Sequence, residues 1–360
     1  MPERVEVAGA GPVNVADYEA LAAERLEPGV LGYYAGGAGD ERTLRDNIAA
    51  FVRRRLRPRV LVDVSEVSTS TTVLDAEVSM PVLIAPTALQ RLAHPDGEPA
   101  MARAAAAAGT IFTLSTLATS RPSEVAGHAP PAPRWFQLYA FRDAAVTRAL
   151  CDEAVDHGFD AVVLTVDAPR AGRRERDLRT GFAVPPEVDM PAVRAALGAT
   201  ACPTPAELFS LVDPSLTWRA LERLADDLPL PLVVKGIQTA EDAELACDHG
   251  AAAVVVSNHG GRQLDGVAAS LDLLPEVVDA VEGRLEVLMD GGVRRGSDVA
   301  VALALGARAV LVGRPALWGL AAGGEAGARH VLELLAEELR LALLLLGCPS
   351  PADVTRAHVT

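Results

Sequence analysis

Eight short apolar runs recur along the chain: "MPVLIAPT", "GTIFTLST", "RWFQLY", "DAVVLTVD", "LPLVVKG", "AAAVVVSN", "LEVLMDGG" and "ARAVLVGR". Most are continuous rather than alternating, as parallel strands covered on both faces require. Helical stretches lie between them, among them "DGEPAMARAAAAAG", "RDAAVTRALCDEAVDHG", "TAEDAELACDHG" and "GSDVAVALALG", and each of these closes on a helix-ending Gly. Eight strand–helix units predict an α/β fold of the (β/α)8 TIM barrel type, with a doubly wound open sheet as the alternative. Such a barrel takes about 250 residues, and the chain has 360. The spacing assigns residues 81–323 to the barrel within a single domain spanning 1–360. Residues 1–80 form an N-terminal extension, helical at first and ending in the short β segment "VSTSTTVLDAEVS". Residues 324–360 carry a C-terminal helix whose "LALLLLG" end is too short to span a bilayer. One interval is too long for a strand–helix connection: 168–228, rich in Arg, Pro and Ala, reads as a loop inserted over the barrel mouth.

The formal charge of −15 is spread along the chain. Such a surface repels nucleic-acid backbones and anionic lipid, so neither partner is expected. "GAG" at Gly9–Gly11 follows no strand and is a poor dinucleotide loop. The four cysteines form no C-x-x-C pair, no metal cluster is evident, and the N-terminus has no apolar signal core. These features predict a reducing, cytoplasmic setting.

Barrel chemistry gathers where strands end. Those ends hold Pro86, Thr87 and Ala88; Ser115; Gln137 and Tyr139; Thr165 and Asp167; Lys235; Ser257, Asn258 and His259; Asp290, Gly291 and Gly292; and Gly313 with Arg314. "DGGVRRG" and "GRP" after the last two strands suit a phosphate: glycines admit backbone N–H groups, and Arg supplies a fork of donors. In "SNHGGRQLDG", His259 stands at a strand end, suited to proton transfer, and Arg262 follows to hold an anionic substrate. Lys235 is the only lysine in a chain that otherwise uses arginine.

The order of these motifs resembles the FMN-dependent L-2-hydroxy-acid oxidase and dehydrogenase family. The likeness runs from "YEALAAERLEPGVLGYYAGGAGDERTL" through "PTALQRLAHPDGE", "LTVDAPRAGRRERDLR" and "SNHGGRQLDG" to "GRPALWGLAAGGEAG". It implies FMN as cofactor, a small 2-hydroxy acid as substrate, O2 as acceptor with peroxide as product, and a homotetramer or homo-octamer. Pro86, Thr87, Ala88, Ser115, Gln137 and Thr165 would line the flavin ring, and Ser257 would sit beside its chain. Asp290, Gly291, Gly292, Val293, Arg294, Gly313 and Arg314 would hold ribityl and phosphate. Lys235 would face flavin N1 and the C2 oxygen, where reduction places negative charge. His259 would be the base, balanced by Asp167. Arg174 and Arg262 would clamp the substrate carboxylate, with Tyr33 and Tyr139 bonding to its carboxylate and hydroxyl. Whether His259 takes the carbon-bound or the hydroxyl proton stays open.

"TLSTLATS" puts Leu117 where glycolate oxidases carry Trp, and Ala140 and Ala171 would make further small walls, while Ala88, where some dehydrogenase relatives carry Gly, leans toward an oxidase. Room for a larger side chain, and a likeness to the bacterial 4-hydroxymandelate oxidases, favour mandelate or 4-hydroxymandelate. Lactate, glycolate and medium aliphatic acids come next. A dehydrogenase with another acceptor and an FMN-binding isomerase barrel are the alternatives; the isomerase would not need His259, Arg174 and Arg262 together.

Overall fold

A computed structural model describes residues 11–201 and 203–360. Cys202 and the first two residues of the Gly9–Gly11 segment lie outside the described residues. Eight parallel strands close a barrel: β1 (Val82–Ile84), β2 (Phe112–Ser115), β3 (Arg134–Leu138), β4 (Ala161–Thr165), β5 (Leu232–Ile237), β6 (Ala253–Val256), β7 (Glu286–Asp290) and β8 (Ala309–Val312). They pair in chain order, and β8 returns to β1 through Val310 opposite Val82.

The alternation of side chains along each strand separates two cores. Leu83, Trp135, Val163, Val233, Val255, Leu288 and Leu311 pack together inside the barrel. Their neighbours Val82, Ile84, Phe136, Val162, Val234, Val254, Met289 and Val310 pack in the larger core with the surrounding helices. Strands apolar on both faces are what a barrel sheathed in helices requires, which is why the runs are unbroken. The antiparallel hairpin Thr71–Val73 with Ala76–Val78 places Val73 and Val78 in the inner core. Ser79 of the same segment bonds to the Gly109 carbonyl just before β2, so the hairpin stoppers the N-terminal end of the barrel.

The same alternation positions the chemistry. Extending the inward set by one step reaches Ser115, Gln137, Thr165, Lys235, Ser257 and Asp290, the topmost inward layer. One step more reaches Tyr139, Asp167 and His259.

Residues 168–228, read from sequence as a loop, contain helices Glu175–Thr180, Pro191–Ala196, Pro205–Leu211 and Trp218–Asp227. The signals were present but short. Thr204 and Glu207 form a capping box around Pro205, enough to start two turns of helix but not a periodic pattern. Val212 bridges to Phe141, and the Asp213 N–H donates to the Ala140 carbonyl, so the segment is tied to the end of β3. N-terminal helices Val15–Arg25, Pro28–Ala35 and Arg42–Arg53 precede the barrel. The last helix, Arg314–Leu346, breaks at Gly323–Gly324 and ends at Gly347 in the left-handed conformation. No helix among the described residues is long and apolar enough to cross a membrane.

Candidate active site and cofactor cradle

A cavity of about 1030 Å³, its open mouth included, occupies the C-terminal rim. Its walls include Tyr33, Pro86, Thr87, Ala88, Ser115, Leu117, Gln137, Tyr139, Thr165, Arg174, Lys235, His259 and Arg262. At the β7–β8 end they include Asp290, Gly291, Gly292, Val293, Arg294, Gly313 and Arg314.

Three of the residues expected at the substrate or cofactor lie elsewhere. Ser257 is fully buried beneath the floor, where its hydroxyl accepts from Lys235 Nζ at 2.9 Å and donates to Asp290 Oδ1 at 2.6 Å. Ala140 lines a separate recess with Val212 and Trp218. Ala171 is exposed and borders an outer recess with Pro169 and Arg170. The chain turns outward after Asp167, which sequence spacing could not show. The small walls expected of Ala140 and Ala171 are therefore not walls of this cavity, whereas Leu117 is.

Lys235 is 3% exposed, and its ammonium sits 2.9 Å from Asp290 Oδ2. Burial would push this ammonium down, but Asp290 and then Asp167 overcome it and hold it above the usual lysine value. Ser257 completes the unit by accepting the His259 backbone N–H at 3.0 Å. His259 thus has its main chain tied to the lysine network while its ring faces the cavity.

His259 Nδ1 lies 2.9 Å from Asp167 Oδ1. A carboxylate only accepts, so Nδ1–H is the donor and Nε2 is left as the basic nitrogen. His259 has φ of +59°, a conformation uncommon for a residue other than Gly. Local ties impose it: Asn258 accepts the Gly261 N–H and exchanges amide hydrogen bonds with Asn47. Gly261, at φ +74°, is irreplaceable here because a Cβ would lie 2.6 Å from the Leu44 nitrogen. Gly236 does similar service under Asp167: β5 bulges there at φ +115°, and a Cβ would meet the Asp167 Cβ at 2.7 Å.

Burial alone would raise the Asp167 carboxyl, but the charge and hydrogen bond of His259, with Lys235 behind, hold it below the usual carboxylate value. A folded-state value below the unfolded one stabilises the fold above the carboxylate range, and that contribution is lost as pH falls through the depressed value. Asp167→Asn should therefore flatten the acid loss of stability below about pH 4, read as melting temperature against pH. An unchanged acid slope would count against the pairing.

The rest of the cavity is cationic. Arg262 Nη1 donates to the carbonyls of Tyr33, at 2.5 Å, and Gly36, at 3.0 Å, while its guanidinium lies over the Tyr33 ring. Arg174 also lies over Tyr33; its Nε is buried without a partner among the described residues, and Asp177 is 3.9 Å from Nη1. Arg314 spends its donors on the carbonyls of Tyr34, Gly36 and Gly260. Among the described residues, the Arg294 side chain donates only to the Val293 carbonyl. Arg262, Arg294 and Arg314 form no carboxylate ion pair among the described residues. Burial lowers all three, and the charge of Arg174 adds to it at Arg262, as do Arg262 and Arg294 at Arg314. Buried cations whose nearest carboxylates, such as Asp177, Asp298 and Glu41, stand too far off to pair with them directly make a site that an anion stabilises. Tyr33 and Tyr139 hydroxyls make no hydrogen bond among the described residues, and burial, with the Asp167 charge, raises Tyr139 far above the usual phenol. Tyr139 therefore stays a neutral hydroxyl.

A flavin phosphate fits this cradle. Gln137 Nε2 is a buried donor at the cavity wall without a partner among the described residues, as the edge of a heteroaromatic ring would require. Arg294, with donors to spare, stands beside Gly291 and Gly292 at the strand ends where barrels bind phosphate.

Three contributors escaped the sequence reading. Phe209, from the inserted segment, lines the cavity and meets Tyr139 edge to face at 5.4 Å between ring centres. Tyr34 donates to the Leu89 carbonyl. Glu98, fully buried and raised by that burial, accepts from the Gln90 and Thr119 backbones, tying the Pro86–Ala88 loop to the Leu117 loop. Glu98 was visible as the last letter of "PTALQRLAHPDGE"; Phe209 had no motif to mark it.

The fold and this cavity define a TIM-barrel protein whose strand-end rim is built for an anionic cofactor and an organic acid. Comparison with known proteins narrows the class. The family described as FMN-dependent dehydrogenase matches residues 22–360. An L-lactate oxidase from Nostoc sp. is 51% identical over 95% of this chain and 96% of its own. Glycolate oxidase 5 of Oryza sativa subsp. japonica is 50% identical over 96% of this chain and 95% of its own. A crystal structure of mandelate oxidase with (S)-4-hydroxymandelic acid superposes with a TM-score of 0.91 at 43% identity, covering 97% of this chain and 98% of that one. The chain belongs to the FMN-dependent dehydrogenase family, among the 2-hydroxy-acid oxidases, and FMN is its cofactor.

Proposed function

We propose that the protein oxidises (S)-2-hydroxy acids to 2-oxo acids, passes the electrons to O2 as hydrogen peroxide, and prefers an aryl substrate of the mandelate kind. The observation that carries the reaction is the convergence of the His259–Asp167 pair, Arg174, Arg262, Tyr33 and Tyr139 on one cavity with Lys235. Arg174 and Arg262 hold the carboxylate, fixing the α-carbon near His259. Tyr33 and Tyr139 donate to substrate oxygens. His259 Nε2 receives the proton, and Asp167 stabilises the imidazolium through Nδ1. Bound FMN supplies the two-electron acceptor. Pro86–Ala88, Gln137 and Thr165 would flank its ring, and Arg294 would meet its phosphate. Lys235 would balance negative charge on the ring.

The aryl preference draws support from Leu117, Ala88 and the Phe209 ring, which contribute apolar wall to the cavity. Lactate is the second reading, favoured by the displacement of Ala140 and Ala171 to other recesses. Peroxide formation from glycolate, lactate and (S)-mandelate separates them. The expected kcat/KM for mandelate exceeds that for glycolate by about 10-fold or more, the scale of one to two buried methylenes. A preference for glycolate ends the aryl reading. Failure of the yellow protein to bleach anaerobically with any of these acids ends the oxidase reading.

A further inference from the structure

Phe209 occupies an unusual position, because its ring is a wall of two spaces at once. On one side is the catalytic cavity, shared with Leu117, Tyr139 and Arg174. On the other is an outer recess of about 910 Å³, its open face included, bordered by Arg142, Pro169, Ala171 and Pro214. Nothing larger than a methyl group projects from Ala171, so space lies behind the ring. The helix Pro205–Leu211 that carries Phe209 is fixed at both ends, by the Thr204–Glu207 capping box and by the Arg142 N–H to Leu211 carbonyl bond. The ring itself is only half-buried, and its aromatic contact is with Tyr139. The partition is thus a single side chain on a fixed support.

We infer that Phe209 is the specificity-determining partition that limits how long a 2-hydroxy acid the site accepts, and that the recess behind it is a latent subsite for the distal end of aryl-alkyl or long-chain 2-hydroxy acids. This rests on the reaction proposed above. Arg174 and Arg262 fix the carboxylate, so a longer side chain has to extend away from them. With Phe209 in place it meets the ring; without the ring, the cavity and recess become one space. A phenyl ring bonded directly to the α-carbon, as in mandelate, ends against Phe209 and gains an aromatic contact there.

The test uses the FMN-loaded enzyme and its Phe209→Ala and Phe209→Leu variants, with (S)-mandelate and (S)-2-hydroxy-4-phenylbutanoate as substrates. The kcat/KM ratio of the longer acid to mandelate should rise by about 10-fold or more in Phe209→Ala, and by less in Phe209→Leu. Adding Ala171→Phe to Phe209→Ala refills the recess and should return the ratio toward wild type. A ratio unchanged in both single variants overturns the inference, as does a raised ratio that Ala171→Phe leaves untouched. Dissociation constants of the unreactive acids phenylacetate and 4-phenylbutanoate, read from flavin absorbance, give the same ratio without turnover. If no 2-hydroxy acid reacts but this binding ratio shifts as expected, the oxidase reading fails while the partition stands.

Discussion

His259→Gln protein is expected to stay yellow, with flavin content near that of wild type, and to lose about 10²–10⁴-fold in kcat, the usual weight of a positioned acid–base group. Glutamine can keep a hydrogen bond to Asp167 but has no nitrogen able to take a proton near neutrality. The variant should also free Asp167 from its main partner: burial raises that carboxyl, and the His259 charge is the largest influence pulling it down. Anaerobic flavin bleaching measured by stopped flow checks the first step without interference from O2. A His259→Gln rate within tenfold of wild type would sink the assignment. The backbone also bears on the design. Positive φ at a non-Gly residue costs of order 1–3 kcal/mol. Here Ser257 Oγ and Asn258 hold the turn from both sides, so Gln at 259 inherits the same geometry.

Lys235→Met should be the most damaging change to the fold among the site variants. It leaves Asp290 buried beside Ser257 with no cation at 2.9 Å. Removing one partner of a buried pair costs about 3–5 kcal/mol, because the remaining charge is stranded in a poor solvent. Lys235→Arg should not rescue it, since a planar guanidinium does not occupy the slot of a compact ammonium that is 3% exposed. Urea unfolding of the flavin-free protein measures the loss. The double variant Lys235→Met/Asp290→Asn should be more stable than Lys235→Met alone, because it removes the stranded charge as well. The flavin of Lys235→Met should also become harder to reduce, read as a lower midpoint potential. A single variant as stable as wild type would show that the ammonium and carboxylate are not coupled.

Lys235 also illustrates how an inward rim residue reveals itself. The strand period places it in line with Val233 of the inner core, and its neighbours Val234 and Ile237 face the helices. Gln137, Thr165 and Asp290 follow the same arithmetic on their own strands. For these positions, reading every second residue to the end of an apolar run was sufficient. Ser257 is the exception. Its parity was right, yet its hydroxyl turned to Lys235 and Asp290 beneath the cavity floor instead of into the cavity.

Barrel topology, the rim location of the chemistry and the His259–Arg262 turn are written in local pattern: unbroken strands, helices closed by Gly, and polar residues at strand ends. Strand and helix periods are short-range properties, so neighbours along the chain are enough to declare them. The inner wall of the substrate space is of another kind. Ala140 and Ala171 left the cavity, while Phe209, some forty residues beyond Thr165, entered it. Which side chains meet there depends on how the 168–228 segment folds back and bonds to the end of β3, a matter of long-range packing. No periodicity in the chain encodes those contacts, and only the closed barrel with its insert in place resolves them.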